Sequence, residues 1–130
     1  MQILITDCAS LKSGGDLSLK PLEKYGEITE YGNISHAELL KEVADKEILL
    51  CNKTVINSEV INAAPRLKYI GVLATGYNNI DIAYAKEKGI AVCNAGSYST
   101  DAVAQQVIAY ILLHYTNIPR YNEFVKDGGW

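Results

Sequence analysis

The sequence predicts an α/β fold built on a parallel five-stranded sheet with helices on both faces. Short apolar runs rich in Ile, Leu and Val alternate with segments of helical pattern over residues 1–99. The runs are apolar at successive positions, as expected of strands that are buried on both sides. Because crossovers between parallel strands are right-handed, the expected topology is a doubly wound, flavodoxin-like sheet.

Each element has its own local signals. The expected strands are QILIT at 2–6, EITEY at 27–31, EILLC at 47–51, KYIGVL at 68–73 and IAVCN at 90–94. The expected helices between them cover 17–26, 35–46, 57–65 and 80–89. Ser35 and Glu38 have the spacing of a capping box, and Asn57 or Ser58 caps the next helix. Gly26 and Gly89 are expected in the left-handed conformation that ends a helix.

The last third of the chain breaks this rhythm. From about Thr100, the sequence predicts one long helix that is apolar over more than half of its circumference. Such a helix needs to be buried, and a domain whose sheet is already covered has limited room for it. We therefore expect one domain at 1–99 and the start of a second at 100–130.

Composition and charge exclude several classes of function. The chain is 48% apolar and 21% charged, with a net charge of -3 and a pI near 5.3. It has no basic cluster for nucleic acid or an anionic membrane and no pattern of a signal peptide, so we expect a cytoplasmic protein. The three cysteines form no CxxC pair, so we expect no metal site and no disulfide framework, and we expect them to be small buried residues.

Two loops are candidates for a binding site. Ligands of an open parallel sheet bind beyond the carboxyl ends of the strands. There the sequence places NKT at 52–54 and ATG at 74–76. Small side chains at Ala74, Thr75 and Gly76 let a ligand approach the backbone, whose successive N–H groups favour an anion. With Lys53 as countercharge, the pattern favours a small carboxylate.

The run LKYIGVLATGYNNIDIAYAKEKGIAVCNAGSYSTDAVAQQVIAYIL, residues 67–112, carries a more specific signal. It closely resembles the segment that joins the two domains of D-isomer-specific 2-hydroxyacid dehydrogenases, particularly the glycerate dehydrogenase (hydroxypyruvate reductase) branch. The small-residue loop, the N-N-I-D helix start, the G-I-A-V strand and the S-T-D-A-V-A helix start occur in the family's order and spacing. The earlier part resembles the family's substrate domain more loosely, through ITD and NKT.

The resemblance implies roles for particular residues. It implies that the amides of Thr75 and Gly76 hold the carboxylate of a 2-oxo or 2-hydroxy acid, with Ala74 adjacent and Lys53 near the substrate. It also implies that Thr75 and Val103 approach the nicotinamide of NAD or NADP, and that the helix from Thr100 leads into a Rossmann domain. The helix start reads V-A-Q, with Gln105 where many family members have Glu.

Other parts of the family's machinery are not found in these 130 residues. There is no G-x-G-x-x-G turn, because none of the ten glycines is followed by another two positions later. The family's catalytic Arg and its His–Glu pair have no counterparts, and neither His36 nor His114 replaces them. We therefore expect no catalytic residue here, no cofactor bound by this chain alone, no activity of the chain alone, and a homodimer or self-association through helix 100–125.

The residues also permit a different class of function. The chain could be a freestanding, non-catalytic flavodoxin-like module that binds a small carboxylate or mediates dimerisation. A receiver domain would have an aspartate after the third strand, where Asn52 and Lys53 stand. A flavodoxin would have a phosphate loop rich in Ser, Thr and Gly after the first strand, which DCASLKSGGD fits poorly.

Overall fold

A computed structural model describes residues 1–129 and contains the predicted parallel sheet. Its strands are β1 Gln2–Ile5, β2 Glu27–Glu30, β3 Ile48–Cys51, β4 Tyr69–Val72 and β5 Ala91–Asn94. They pair in the order β2-β1-β3-β4-β5, and every pair is parallel. This is the flavodoxin-like order, so the predicted fold class is confirmed.

Helices connect the strands and continue after the last one. They are α1 Cys8–Leu11, α2 Lys20–Glu23, α3 His36–Glu42 followed by a 3-10 turn at Val43–Asp45, α4 Ser58–Ala63, α5 Ile82–Glu87, α6 Thr100–Thr116 and α7 Ile118–Lys126. Contacts divide the chain into two compact units, Met1–Gly96 and Ser97–Trp130. Among residues 1–129, no helix combines the length and the apolar character needed to cross a bilayer.

The core of the first unit lies on the two faces of the sheet. One face packs Leu4, Leu49 and Ile70 against α3, α4 and α5 in the larger apolar cluster. The opposite face carries Ile3 and Ile5, which pack with Cys8 and the partly buried residues of the first two helices. Strand side chains alternate between these faces, so both sides of the central strands are buried.

The predicted helix caps are confirmed at three positions. Ser35 and Glu38 form both halves of a capping box. Asn57 accepts a hydrogen bond from the Val60 amide at the start of α4. Gly89 has φ +72° after α5, where only a residue without Cβ is relaxed.

The region around α2 differs from the prediction. The helix expected over 17–26 is a single turn at Lys20–Glu23, and α1 is an additional helix that the sequence did not reveal. Gly26 is not left-handed. Instead, a Cβ at Gly26 would overlap the backbone of Met1, because the chain enters β2 there and Glu27 N–H bonds to the Met1 carbonyl.

The prediction of one long helix after Thr100 is wrong. Asn117, with φ 52°, ends α6 in the left-handed conformation, and α7 begins immediately afterwards with Pro119 in its first turn. Pro119 has no N–H to donate, and its ring would clash with the carbonyl four residues earlier, so α6 cannot continue through it. Asn117 can take the turn because asparagine tolerates the left-handed conformation. The apolar side of α6 is exposed within the described residues, and its large apolar residues are Val103, Val107, Ile108, Tyr110, Ile111, Leu112, Leu113 and Tyr115.

Candidate functional site

The two loops predicted as a site lie side by side at the carboxyl edge of the sheet. They follow β3 and β4, which are neighbours, and the Leu73 amide donates to the Cys51 carbonyl at 2.7 Å where they begin. Asn79 then joins the loops, because its side-chain Nδ2 donates to the Thr54 carbonyl at 2.7 Å. A backbone bridge between Ile56 and Ile80 closes the connection further along.

Loop 52–54 is folded around a carboxylate of the protein itself. Asp7, only 4% exposed at the end of β1, accepts hydrogen bonds from the backbone amides of Asn52, Lys53 and Thr54. The hydroxyl of Thr54 donates to the same carboxylate at 3.2 Å. Hydrogen bonds to a charged group are the strong class in proteins. The three amides of this loop are therefore occupied, and the loop offers an anion no free backbone N–H.

Asp7 is a residue whose role the sequence did not reveal. From the sequence, it is an ordinary loop residue, yet it supports the loop that carries Lys53. The sequence does carry one signal for this role, because Asp7 follows a buried strand directly. The carboxyl ends of neighbouring parallel strands meet at one edge of the sheet, which brings Asp7 near loop 52–54. The ammonium-bearing side chain of Lys53 is exposed, and no carboxylate within residues 1–129 pairs with it.

Loop 74–76 has the opposite arrangement. The carbonyl of Ala74 accepts from the Ala95 amide at 3.1 Å, and the carbonyl of Thr75 accepts from the side-chain Nδ2 of Asn94 at 2.8 Å. The amides of Thr75 and Gly76 bond to no acceptor in the part of the chain described, and both residues are exposed. Two adjacent backbone donors are thus free within the described residues, in the loop next to the one that carries Lys53.

Gly76 leaves space that the protein itself does not fill. Its backbone is not left-handed, and a Cβ there would only make an ordinary contact, 3.6 Å from Asn78 Oδ1. Neither backbone conformation nor a neighbouring atom therefore requires glycine at this position. Close approach of a ligand to the Gly76 amide is a reason that fits the geometry.

The buried thiols of Cys8 and Cys51 do not supply a nucleophile to these loops. Burial, with the nearby negative charge of Asp7, raises the pKa of Cys51 to about 12. Burial also raises the pKa of Cys8, helped by Glu30. The prediction that all three cysteines are buried is wrong for Cys93, which is exposed because β5 is the edge strand of the sheet.

The remaining candidates lie elsewhere in the chain. Val103 is on α6 of the second unit and is 59% exposed. His36 begins α3, as expected, and its Nε2 lies 2.9 Å from Glu59 in an exposed pair. His114 is exposed on α6 and meets Tyr115 edge to face. Residues 1–129 hold no group of three His, Cys, Asp or Glu side chains that could bind a metal ion.

Comparison with known proteins defines the class. The profile of the D-isomer specific 2-hydroxyacid dehydrogenase family, catalytic domain, matches residues 3–122. The chain belongs to this family. The resemblance recognised over residues 67–112 is thereby confirmed, and it extends over most of the sequence.

Individual relatives agree with this assignment. The chain is 38% identical over its full length to a hydroxypyruvate reductase of Blautia hydrogenotrophica, of which it covers 41%. It is 34% identical, again over its full length, to a D-3-phosphoglycerate dehydrogenase of Methanocaldococcus jannaschii, of which it covers 24%. The chain therefore spans less than half the length of these relatives.

A solved structure shows the same fold in a reductase. An acyclic imino acid reductase in complex with NADPH and D-Arg superposes with a TM-score of 0.74 and 25% identity. The match covers 98% of this chain and 41% of the reductase.

Proposed function

We propose that this chain provides the substrate-binding part of an NAD(P)-dependent 2-hydroxyacid dehydrogenase that acts on a small 2-oxo acid such as hydroxypyruvate or glyoxylate. The observation that carries the proposal is the pair of amides of Thr75 and Gly76 that meet no acceptor within residues 1–129, in the loop next to the one that carries the exposed Lys53. Family membership and the name of the hydroxypyruvate reductase relative support the substrate class.

In this proposal, the chain's own residues bind and orient the acid. The two amides donate to one carboxylate, and Lys53 balances its charge. Ala74 and Gly76 keep the surroundings small enough for the ligand to reach the backbone. The carboxylate, once fixed, places the neighbouring 2-oxo carbon in one position, which is the contribution of orientation to catalysis.

The cofactor supplies the hydride when it is bound: hydride and a proton convert the 2-oxo acid into the 2-hydroxy acid. Thr75 and Val103 are the residues proposed to face its nicotinamide. The G-x-G-x-x-G turn that seats a pyrophosphate is not found in these residues, so no further cofactor contact is proposed. We likewise propose no acid or base from this chain.

A titration followed by amide resonances tests the proposed site. Addition of D-glycerate to the ¹⁵N-labelled chain should shift the Thr75 and Gly76 amides in a saturable way, whereas the amides of Asn52 and Lys53 should shift less because Asp7 occupies them. Glycerol, which lacks the carboxylate, is the control ligand. Equal shifts with glycerol, or saturable shifts confined to other regions, would refute the proposal.

Charge at Lys53 is tested in the same titration. Lys53→Met should weaken D-glycerate binding several-fold, because a charge-assisted contact at an exposed position is lost. Lys86→Met, which removes an exposed lysine on α5, is the matched control and should leave the affinity unchanged. Equal weakening by the two variants would show that only net charge matters.

We also propose that the chain alone neither binds NAD(P)H nor turns over substrate. When the chain is mixed with NADH and hydroxypyruvate, the absorbance of the reduced nicotinamide should not fall. Turnover at the rate of a complete dehydrogenase would contradict this proposal.

The exposed apolar residues of α6 support a further proposal, that the chain self-associates as a homodimer. Large exposed apolar patches mark interaction surfaces. In sedimentation at micromolar concentration, the parent should be associated, and Ile111→Lys should shift it towards monomer. Gln106→Lys places the same charge on a polar position of α6 and should have the smaller effect. A parent that is strictly monomeric would contradict the proposal.

A further inference from the structure

Asn94 is an exposed residue at the end of β5, yet its side chain reaches into the candidate site. Its Nδ2 donates to the Thr75 carbonyl at 2.8 Å. The next residue, Ala95, donates its backbone amide to the Ala74 carbonyl at 3.1 Å. The end of β5 therefore holds two carbonyls, those of Ala74 and Thr75, of the loop that is proposed to bind the substrate.

Because the peptide bond is planar, these two contacts also determine where the Thr75 and Gly76 amides point. In a trans peptide, the N–H points opposite to the C=O, and residues 1–129 contain no cis peptide. The Ala74 carbonyl shares its peptide with the Thr75 amide, and the Thr75 carbonyl shares its peptide with the Gly76 amide. Holding the carbonyls towards β5 therefore turns both amides away from it, where no protein acceptor within residues 1–129 meets them.

A substitution can remove one of these two contacts but not the other. The Ala95 contact uses backbone atoms and is present with almost any side chain. The Asn94 contact depends on a side-chain N–H, and within residues 1–129 it is the one hydrogen bond on the peptide that carries the Gly76 amide. Without that donor, the Thr75 carbonyl is free to turn outward, and an outward carbonyl repels a carboxylate.

We propose that Asn94 is a positioning residue that fixes the Thr75–Gly76 peptide with its amide presented to the substrate carboxylate. This inference rests on the proposed function, since it assigns a support to the same site. Asn94 acts through the Thr75 carbonyl and is not itself a ligand of the carboxylate.

Two pairs of variants test it. Asn94→Ala removes the donor, and Asn94→Asp replaces it with a carboxylate that repels the Thr75 carbonyl. Asn33→Ala and Asn33→Asp make the same changes at an exposed asparagine of the turn after β2, for whose side chain residues 1–129 provide no hydrogen-bond partner. D-Glycerate binding is followed through the amide resonances, and unfolding by urea is measured in parallel.

Asn94→Ala should weaken D-glycerate binding about three- to tenfold, the worth of one hydrogen bond, and Asn94→Asp should weaken it more. Asn33→Ala should bind as the parent does, and Asn33→Asp should show only the smaller effect of added charge. In the free protein, the Gly76 amide resonance should move in both Asn94 variants, while the urea midpoint stays at the parent value. Asn94→Gln keeps an NH₂ donor and should bind D-glycerate more tightly than Asn94→Ala. If Asn94→Ala or Asn94→Asp does not fold, Asn94→Gln is compared with the parent instead.

The outcomes separate this inference from the proposed function. If the parent gives no saturable shift at Thr75 and Gly76, the proposed function fails and the role of Asn94 fails with it. If the parent responds and the Asn94 variants bind as tightly as their Asn33 counterparts, the site stands and only the positioning role is overturned.

Discussion

Loop 52–54 follows β3 and loop 74–76 follows β4, so the two leave the sheet side by side, yet their backbone amides meet different partners. In the first loop, three successive amides converge on the buried carboxylate of Asp7. In the second, the carbonyls are held by the end of β5, and the amides of Thr75 and Gly76 bond to nothing within residues 1–129.

The difference teaches how to recognise an anion site in a fold of this kind. A run of backbone amides at the edge of a parallel sheet is a favourable place for an anion in either loop. The two loops differ in whether their amides already have an acceptor in the protein. A loop whose amides are all bonded has no donor left for a ligand, and a loop with unbonded amides does. Substitutions around loop 52–54 should therefore change stability, and those around loop 74–76 should change ligand binding.

The largest effect is expected for Asp7→Ala. It removes the shared acceptor of three amides, and each unpaired amide in a partly buried loop costs about 1–3 kcal/mol. We expect the free energy of unfolding to fall by about 3 kcal/mol, measured by urea denaturation. Asp81→Ala is the control, because Asp81 accepts from the Tyr84 amide alone as a helix cap, and its loss should cost about 1 kcal/mol. Equal losses for the two variants would show that Asp7 is no more than another cap.

Asn79→Ala tests the link between the loops. The variant removes the side-chain donor to the Thr54 carbonyl, which should lower the free energy of unfolding by about 1 kcal/mol. Asn78→Ala removes the adjacent, exposed asparagine and should stay within about 0.5 kcal/mol of the parent. If both variants keep the parent stability, the two loops are not coupled through this side chain.

A pH series tests the burial of Cys51 at the start of loop 52–54. Because the folded pKa of about 12 lies above the ordinary value of 9.0, the folded chain keeps a proton that the unfolded chain releases. The contribution is complete below about pH 9 and is lost as the pH rises towards 12, with a slope of about 1.4 kcal/mol per pH unit. Between pH 9 and 10, the loss of stability should be about 1 kcal/mol greater for the parent than for Cys51→Ala. Parallel pH profiles would contradict the burial of this thiol.

Gly76→Ala should have the smallest effect on stability. The backbone is not left-handed and the new Cβ makes an ordinary contact, so a gain of about 0.4–1 kcal/mol is expected from the stiffer unfolded chain. D-Glycerate binding should nevertheless weaken, because the methyl group stands beside the amide that the ligand approaches. Gly32→Ala, at an exposed turn with similar space, should gain a similar amount of stability for the same reason and leave D-glycerate binding unchanged. Unchanged ligand binding in Gly76→Ala would show that the small residue has another purpose.

Much of the first unit could be predicted because its signals are local. The capping box at Ser35 needs only two residues three positions apart, and Gly89 only has to follow a helix. Gly26 shows the limit of such reasoning. Its place at the end of a helical segment suggested a left-handed residue, but the close approach of Met1, 25 positions earlier, decides the need for glycine. A reading of 100–126 as one helix overlooks the break at Asn117, although Pro119 signals it, because large apolar residues stand on both sides of the break.

The sequence by itself determined the order and type of the strands, the parallel sheet and the two loops at its carboxyl edge. These follow from apolar runs and caps within short segments, where each residue acts on its near neighbours. The tertiary structure alone decided that Asp7 fills loop 52–54 and that Asn94 faces the carbonyl of loop 74–76. Both contacts join residues that are distant in the chain, since parallel strands bring their carboxyl ends together only after whole β-α units have packed.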